Sequence, residues 1–258
     1  MQRHADFLSS ISDTLSDPSS CAQVIAPGLV FMKQVLSAEQ QVWLARYAMG
    51  AGTNGFYLPS TNSSQVSSSI DGGDADQAEN NRVLNSDNGK RGRIYDDIEH
   101  FPDSHTVRTL CHSLVNCAQR VDGKMPSMDP THLLLLYYAS DDGMEWHSDS
   151  DVNDGNNDHP IVSLTIGNAC DFGFKLVGRA EQSLRLESGD VLIWGGPNRM
   201  LYHCVHRVHM GTVPEYLRDI VSDARLNFTY RDAPNVRGRE HEFKYNIGGF
   251  NIPDKEQK

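Results

Sequence analysis

No run of about 18 consecutive apolar residues occurs anywhere in this 258-residue chain, so no helical membrane span is expected. The stretch Met1-Gln-Arg-His-Ala-Asp6 lacks the basic and apolar pattern of a secretory signal. Cysteine is scarce. Cys21, Cys111, Cys117, Cys170 and Cys204 are odd in number, and none forms a CxxC pair. That argues against a disulfide frame and against a structural zinc site. Reduced thiols in an intracellular protein, of nucleus or cytoplasm, are the expectation. Positive charge is short as well. Lys and Arg number 23 against 34 Asp and Glu, a formal net charge of −11. Proteins that grip long duplexes by neutralising phosphate need the opposite balance. A nucleotide or a short or single strand is therefore an easier partner than a long duplex. Two local basic clusters remain, Arg82, Lys90, Arg91 and Arg93, and Arg231, Arg237, Arg239 and Lys244.

What is present reads as one globular domain, with 38% hydrophobic and 22% charged residues, and we expect a monomer. Residues 1–22 are polar and read as a loose tail. Residues 24–36 look like a short strand leading into a helix. Ser37 and Gln40 have capping-box spacing, and Val42, Leu44, Ala45 and Ala48 carry the helix to Gly50. Residues 50–92 are rich in Gly, Ser, Asn and Asp and read as a long flexible loop or lid. Val107, Leu110, Cys111, Leu114, Val115 and Ala118 place one buried stripe on a second helix across 103–121. From 131 onward the texture becomes short strands between turn residues, at 132–139, 161–166, 170–177, 183–187, 190–194, 200–206 and 225–231. This order predicts an α+β fold that is mainly β: a double-sheet jelly roll buttressed by N-terminal helices. The expected divisions are a tail (1–22), a helical support with a lid (23–130) and a β core (131–258).

Within that core, His147-Ser148-Asp149 and the distant His203 suit a 2-His-1-carboxylate facial triad. Such a triad holds Fe(II) from one side and leaves other positions open for chemistry. A His-x-Asp pair on extended chain points both side chains the same way, and the second His must come from another strand. The same alternation puts Arg225, Asn227, Thr229 and Arg231 on one face, with Leu226, Phe228 and Tyr230 on the other. Two arginines and an asparagine suit an anion held deep in a pocket, since an Arg fork reads a carboxylate bidentately.

These segments, with Pro160-Ile-Val-Ser-Leu-Thr-Ile-Gly167, Leu186-Glu-Ser-Gly-Asp-Val-Leu-Ile-Trp-Gly-Gly196 and Arg199-Met-Leu-Tyr-His203, resemble the AlkB family of iron- and 2-oxoglutarate-dependent dioxygenases in order and spacing. The resemblance covers roughly residues 131–232. It implies a double-stranded β-helix with a nucleotide-reading lid. It also implies Fe(II), 2-oxoglutarate and O2 as the cofactor and cosubstrates, and oxidative removal of N-methyl groups from bases in DNA or RNA, releasing formaldehyde, succinate and CO2. By the same resemblance His147, Asp149 and His203 bind the metal. Arg225 holds the far carboxylate of 2-oxoglutarate, with Asn227, Arg231 and Tyr138 in support. Leu136 stands where the family has an asparagine, a departure that leaves one amide contact to be supplied elsewhere. Asp151 matches a position near the substrate base, and Trp146 or Tyr95 would stack an extruded base. The alternative is an oxygenase of the same fold acting on a protein, lipid or small metabolite.

Overall fold

The computed structural model describes residue 15 and residues 17–51, 91–149 and 158–234. The chain enters through a hairpin, β1 (Ala22–Ala26) and β2 (Leu29–Met32). Next comes helix α1 (Ala38–Ala51), which starts at the capping box: the Gln40 N–H donates to Ser37 Oγ (3.3 Å) and the Ser37 N–H to Gln40 Oε1 (2.7 Å). Strand β3 (Arg91–Asp97) and helix α2 (Ser104–Val121) follow. Eight further strands complete the fold: β4 (His132–Tyr138), β5 (Met144–His147), β6 (Ile161–Gly167), β7 (Ala169–Lys175), β8 (Gln182–Leu186), β9 (Val191–Trp194), β10 (Tyr202–His209) and β11 (Arg225–Arg231).

The strands form two antiparallel sheets. One has seven strands in the order β1-β2-β9-β6-β11-β4-β3, the other four in the order β5-β10-β7-β8. Period-two alternation assigns each face of the larger sheet. Val162, Leu164 and Ile166 of β6 and Leu226, Phe228 and Tyr230 of β11 turn toward the helices, where Leu44, Ala48, Leu110 and Leu114 cover them. The opposite faces of β6 and β11 look between the sheets, onto a second core that includes Phe172, Phe174, Leu192 and Trp194. This is the expected jelly roll with its helical buttress.

Three expectations need correction. Residues 15 and 17–22 are held rather than loose: Leu15 is buried in the helix-side core and its carbonyl accepts from Arg120 Nη2. β1, β2 and β3 are strands of the larger sheet, so the boundary drawn at 131 cuts through a continuous sheet. Residues 91–92 belong to β3, paired along its length with β4. Residues 52–90, the body of the expected lid, and residues 235–258 lie outside the described residues.

Candidate active site

The four-stranded sheet brings the two histidines together. His147 ends β5 and lies directly across from His203 of β10. Gly143 fixes this pairing, because a side chain there would collide with the Val205 carbonyl of β10. The His147 and His203 rings stand 4.2 Å apart, centroid to centroid. Asp149 follows two residues after His147; its oxygens lie 3.8 Å from His147 Nε2 and 4.0 Å from His203 Nε2. One ligand atom from each of the three falls within 4.8 Å of the others, and all three residues are buried.

Each imidazole is oriented by a backbone carbonyl. His147 Nδ1 donates to Glu145 O (2.7 Å) and His203 Nδ1 to Leu201 O (2.8 Å). A carbonyl oxygen only accepts, so each Nδ1 carries a proton and each Nε2 faces the carboxylate. Burial holds the His203 imidazole down at about 4, against the pull of the Asp149 carboxylate, so the ring is neutral at pH 7 and able to ligate. Burial acts to raise Asp149, but Arg231, His203, His147 and Arg199 outweigh it and bring the carboxyl to about 2. The strongest of these partners is direct: Arg231 Nη2 donates to Asp149 Oδ1 at 2.6 Å, with both side chains buried. Two imidazoles and a carboxylate on one side of a buried space are the donor set of a facial iron site.

The larger sheet supplies the other end. Arg225, 2% exposed, lies across from Tyr138 of β4 and Gly167 of β6. Its guanidinium sits 5.0 Å over the Tyr138 ring, and Nη2 donates to Thr165 Oγ1 (3.1 Å). Nε and Nη1 are buried and, among the described residues, have no hydrogen-bond partner. Among the described residues no carboxylate pairs with Arg225, so a salt bridge within the barrel does not account for it. Two unmet donors of one fork fit an incoming carboxylate. The cavity runs from the triad to Arg225, between apolar walls that include Leu134, Leu136, Met144, Phe172, Val205 and Trp194.

The expected residues distribute unevenly over this cavity. Tyr138 faces it, while its neighbour Tyr137 packs on the helix side. Asn227 lines it, but its amide donates to Ser163 Oγ (2.8 Å) and Leu164 O (2.9 Å), and its Oδ1 accepts from Thr229 (2.7 Å), so it braces the wall. Arg231 braces the metal end through Asp149 rather than the far end beside Arg225. Leu136 lines the cavity across from Asn227 and offers no polar atom there. Trp146 is a correction: strand alternation turns it away from His147 to the outer face, where it stacks on Tyr202 (5.3 Å, 21°) beneath Lys175. Tyr95 is another. It is 4% exposed, stacked on His132 at 5.2 Å and one strand removed from the cavity wall, so it fills core and is not an open platform for a base. Asp151 lies outside the described residues.

Three contributors escaped the sequence reading. Arg199 Nη1 donates to the Asp149 carbonyl at 2.6 Å and so fixes the chain just after β5. Its signal was its place in the run ending at His203. Ser163 and Thr165, polar residues on one face of an otherwise apolar strand, receive Asn227 and Arg225.

Residues 28–231 match the 2OG-Fe(II) oxygenase superfamily. The chain is 28% identical over 222 residues to the DNA N(6)-methyladenine demethylase ALKBH1C of Arabidopsis thaliana, covering 81% of this chain and 49% of that protein. It is 33% identical over 124 residues to the alpha-ketoglutarate-dependent dioxygenase AlkB of Escherichia coli, covering 47% of this chain and 54% of that one. The chain thus spans about half the length of the curated relatives it matches. The solved structure of OsALKBH1 shares the fold, with a TM-score of 0.64 at 23% identity over 82% of this chain and 100% of that one. A match over most of the length, on a fold that assembles the iron ligands and a buried arginine fork in one cavity, makes this chain a member of the 2OG-Fe(II) oxygenase superfamily.

Proposed function

We propose that this chain is an oxidative demethylase that removes N-methyl groups from nucleobases in DNA or RNA. The observation that carries the reading is the shared cavity: a three-ligand metal set at one end and an arginine with two unmet N–H groups at the other. When bound there, Fe(II) and 2-oxoglutarate supply the oxidation by O2, with succinate, CO2 and formaldehyde as the released products.

The chain's own residues position and protect that chemistry. His147, Asp149 and His203 hold the metal from one side and leave the other side to the reactants. Arg225 grips the far carboxylate and so fixes the orientation of the cosubstrate. Arg231 keeps Asp149 ionised and aimed. Leu134, Leu136, Met144 and Val205 keep water from the reacting centre. The choice of substrate draws support from the relatives, of which two are named for demethylation of DNA N(6)-methyladenine and one for demethylation of tRNA. A short or single strand suits the formal net charge of −11, because little phosphate need be neutralised. We further propose that the enzyme acts as a monomer inside the cell, in nucleus or cytoplasm.

The test is formaldehyde release from a panel of N-methylated DNA and RNA oligonucleotides with Fe(II) and 2-oxoglutarate, beside His147→Ala. Release that the variant loses is the expected result and names the base. The same net acidity favours one second reading, an oxygenase of this fold acting on a protein, lipid or small metabolite. Succinate formed without formaldehyde from any oligonucleotide would select it.

A further inference from the structure

Trp194 closes β9 and is 2% exposed. Its ring meets the His203 imidazole at 5.0 Å and 59° and Phe172 at 6.0 Å, and it lines the cavity that holds the triad and Arg225. Its Nε1–H is buried and, among the described residues, has no hydrogen-bond partner. A buried indole N–H ordinarily finds an acceptor, and a native group left without one calls for a reason. The neighbouring side chains provide none. The Asn227 amide is committed to Ser163, Leu164 and Thr229, and Leu136 has no polar atom. Residues at both ends of the cavity thus carry a buried N–H without a partner: Arg225, at Nε and Nη1, and Trp194, at Nε1, whose ring packs on His203.

We propose that Trp194 is a cosubstrate-binding residue, its indole N–H donating to a carboxylate oxygen at the 2-oxoacid end of 2-oxoglutarate. The proposal rests on reading the cavity as the 2-oxoglutarate site. The division of labour follows from position. Arg225 reads the end remote from the metal, while Trp194, packed on a metal-ligating ring, reads the end that approaches the metal. The donor that Leu136 does not offer comes from the opposite wall.

The experiment is calorimetric titration of the Mn(II)-loaded protein with 2-oxoglutarate and, separately, with 4-oxobutanoate, which keeps the far carboxylate but lacks the carboxylate at the 2-oxoacid end. Trp194→Phe keeps a ring against His203 and removes the N–H. The expected result is a loss of about 10-fold or more in 2-oxoglutarate affinity, as for a hydrogen bond to a charged group. 4-Oxobutanoate and Mn(II) affinities should stay within about two-fold of wild type. Unchanged 2-oxoglutarate affinity overturns the proposal. Equal losses for both ligands overturn it too, since they mark Trp194 as wall rather than donor. Should Trp194→Phe fold poorly, benzothienylalanine at position 194, with sulfur in place of the N–H, must give the same selective loss. Wild-type protein that binds neither ligand would overturn the reading of the cavity itself, an outcome distinct from a wild type that binds 2-oxoglutarate and a variant that binds it equally well.

Discussion

At the scale of single residues, the two arginines of β11 do different work despite sharing a face. Arg225 has no carboxylate partner within the described fold, so its replacement should cost cosubstrate binding and little else. Arg225→Ala is expected to raise the KM for 2-oxoglutarate about 30- to 100-fold, the loss of a charge-assisted pair, with metal affinity little changed; titration of activity against 2-oxoglutarate checks it. Arg231 instead neutralises a metal ligand. Arg231→Ala leaves the Asp149 carboxylate buried without its main partner, and its pKa rises toward the ordinary range. Metal affinity should fall about 10- to 100-fold, measured by competition with a chelator of known affinity. That distinction was not legible in the sequence. The motif Arg225-x-Asn227-x-x-x-Arg231 places both guanidiniums on one face, but only tertiary structure says that one end of β11 meets Tyr138 and Thr165 and the other meets Asp149. Trp146 shows the reverse case. The period-two rule that joined His147 to Asp149 already sent Trp146 to the opposite face, and the chemistry of stacking obscured it.

At the scale of elements, what was legible followed from local chemistry. The capping box set the start of α1, and strand periodicity located β4, β6, β7, β8, β9, β10 and β11 within a few residues. Ser37→Ala removes one half of the box and should destabilise the fold by about 1 kcal/mol without altering the KM for 2-oxoglutarate; urea unfolding monitored by circular dichroism measures the first and kinetics the second. β3 was not legible as part of the sheet. Arg91-Gly-Arg-Ile-Tyr-Asp-Asp97 is mostly charged, and its pairing with β4 comes from the backbone ladder and from Ile94 meeting the helix-side core. β5 was equally hard to place. Four residues carry little periodicity, and its position depends on pairing with β10 and on the close approach at Gly143.

At the scale of the whole molecule, the site is divided between the sheets. His147 and His203 belong to the four-stranded sheet, and Arg225 and Arg231 to the seven-stranded one. The Asp149–Arg231 pair already crosses between them. A dicarboxylate held by the metal at one end and by Arg225 at the other would cross a second time. Among the described residues β5 is the short edge strand of the smaller sheet and pairs only with β10, so its opening should be among the least costly in the fold. Amide exchange in β5 and β10 is expected to slow most when Mn(II) and 2-oxoglutarate are added together and less with metal alone. Equal slowing by metal alone would show that nothing spans the gap. In mechanical terms the cosubstrate is a tie-beam as well as a reactant: it braces the wall that carries two of the iron ligands, and each turnover that consumes it should leave that wall slack until the next one binds.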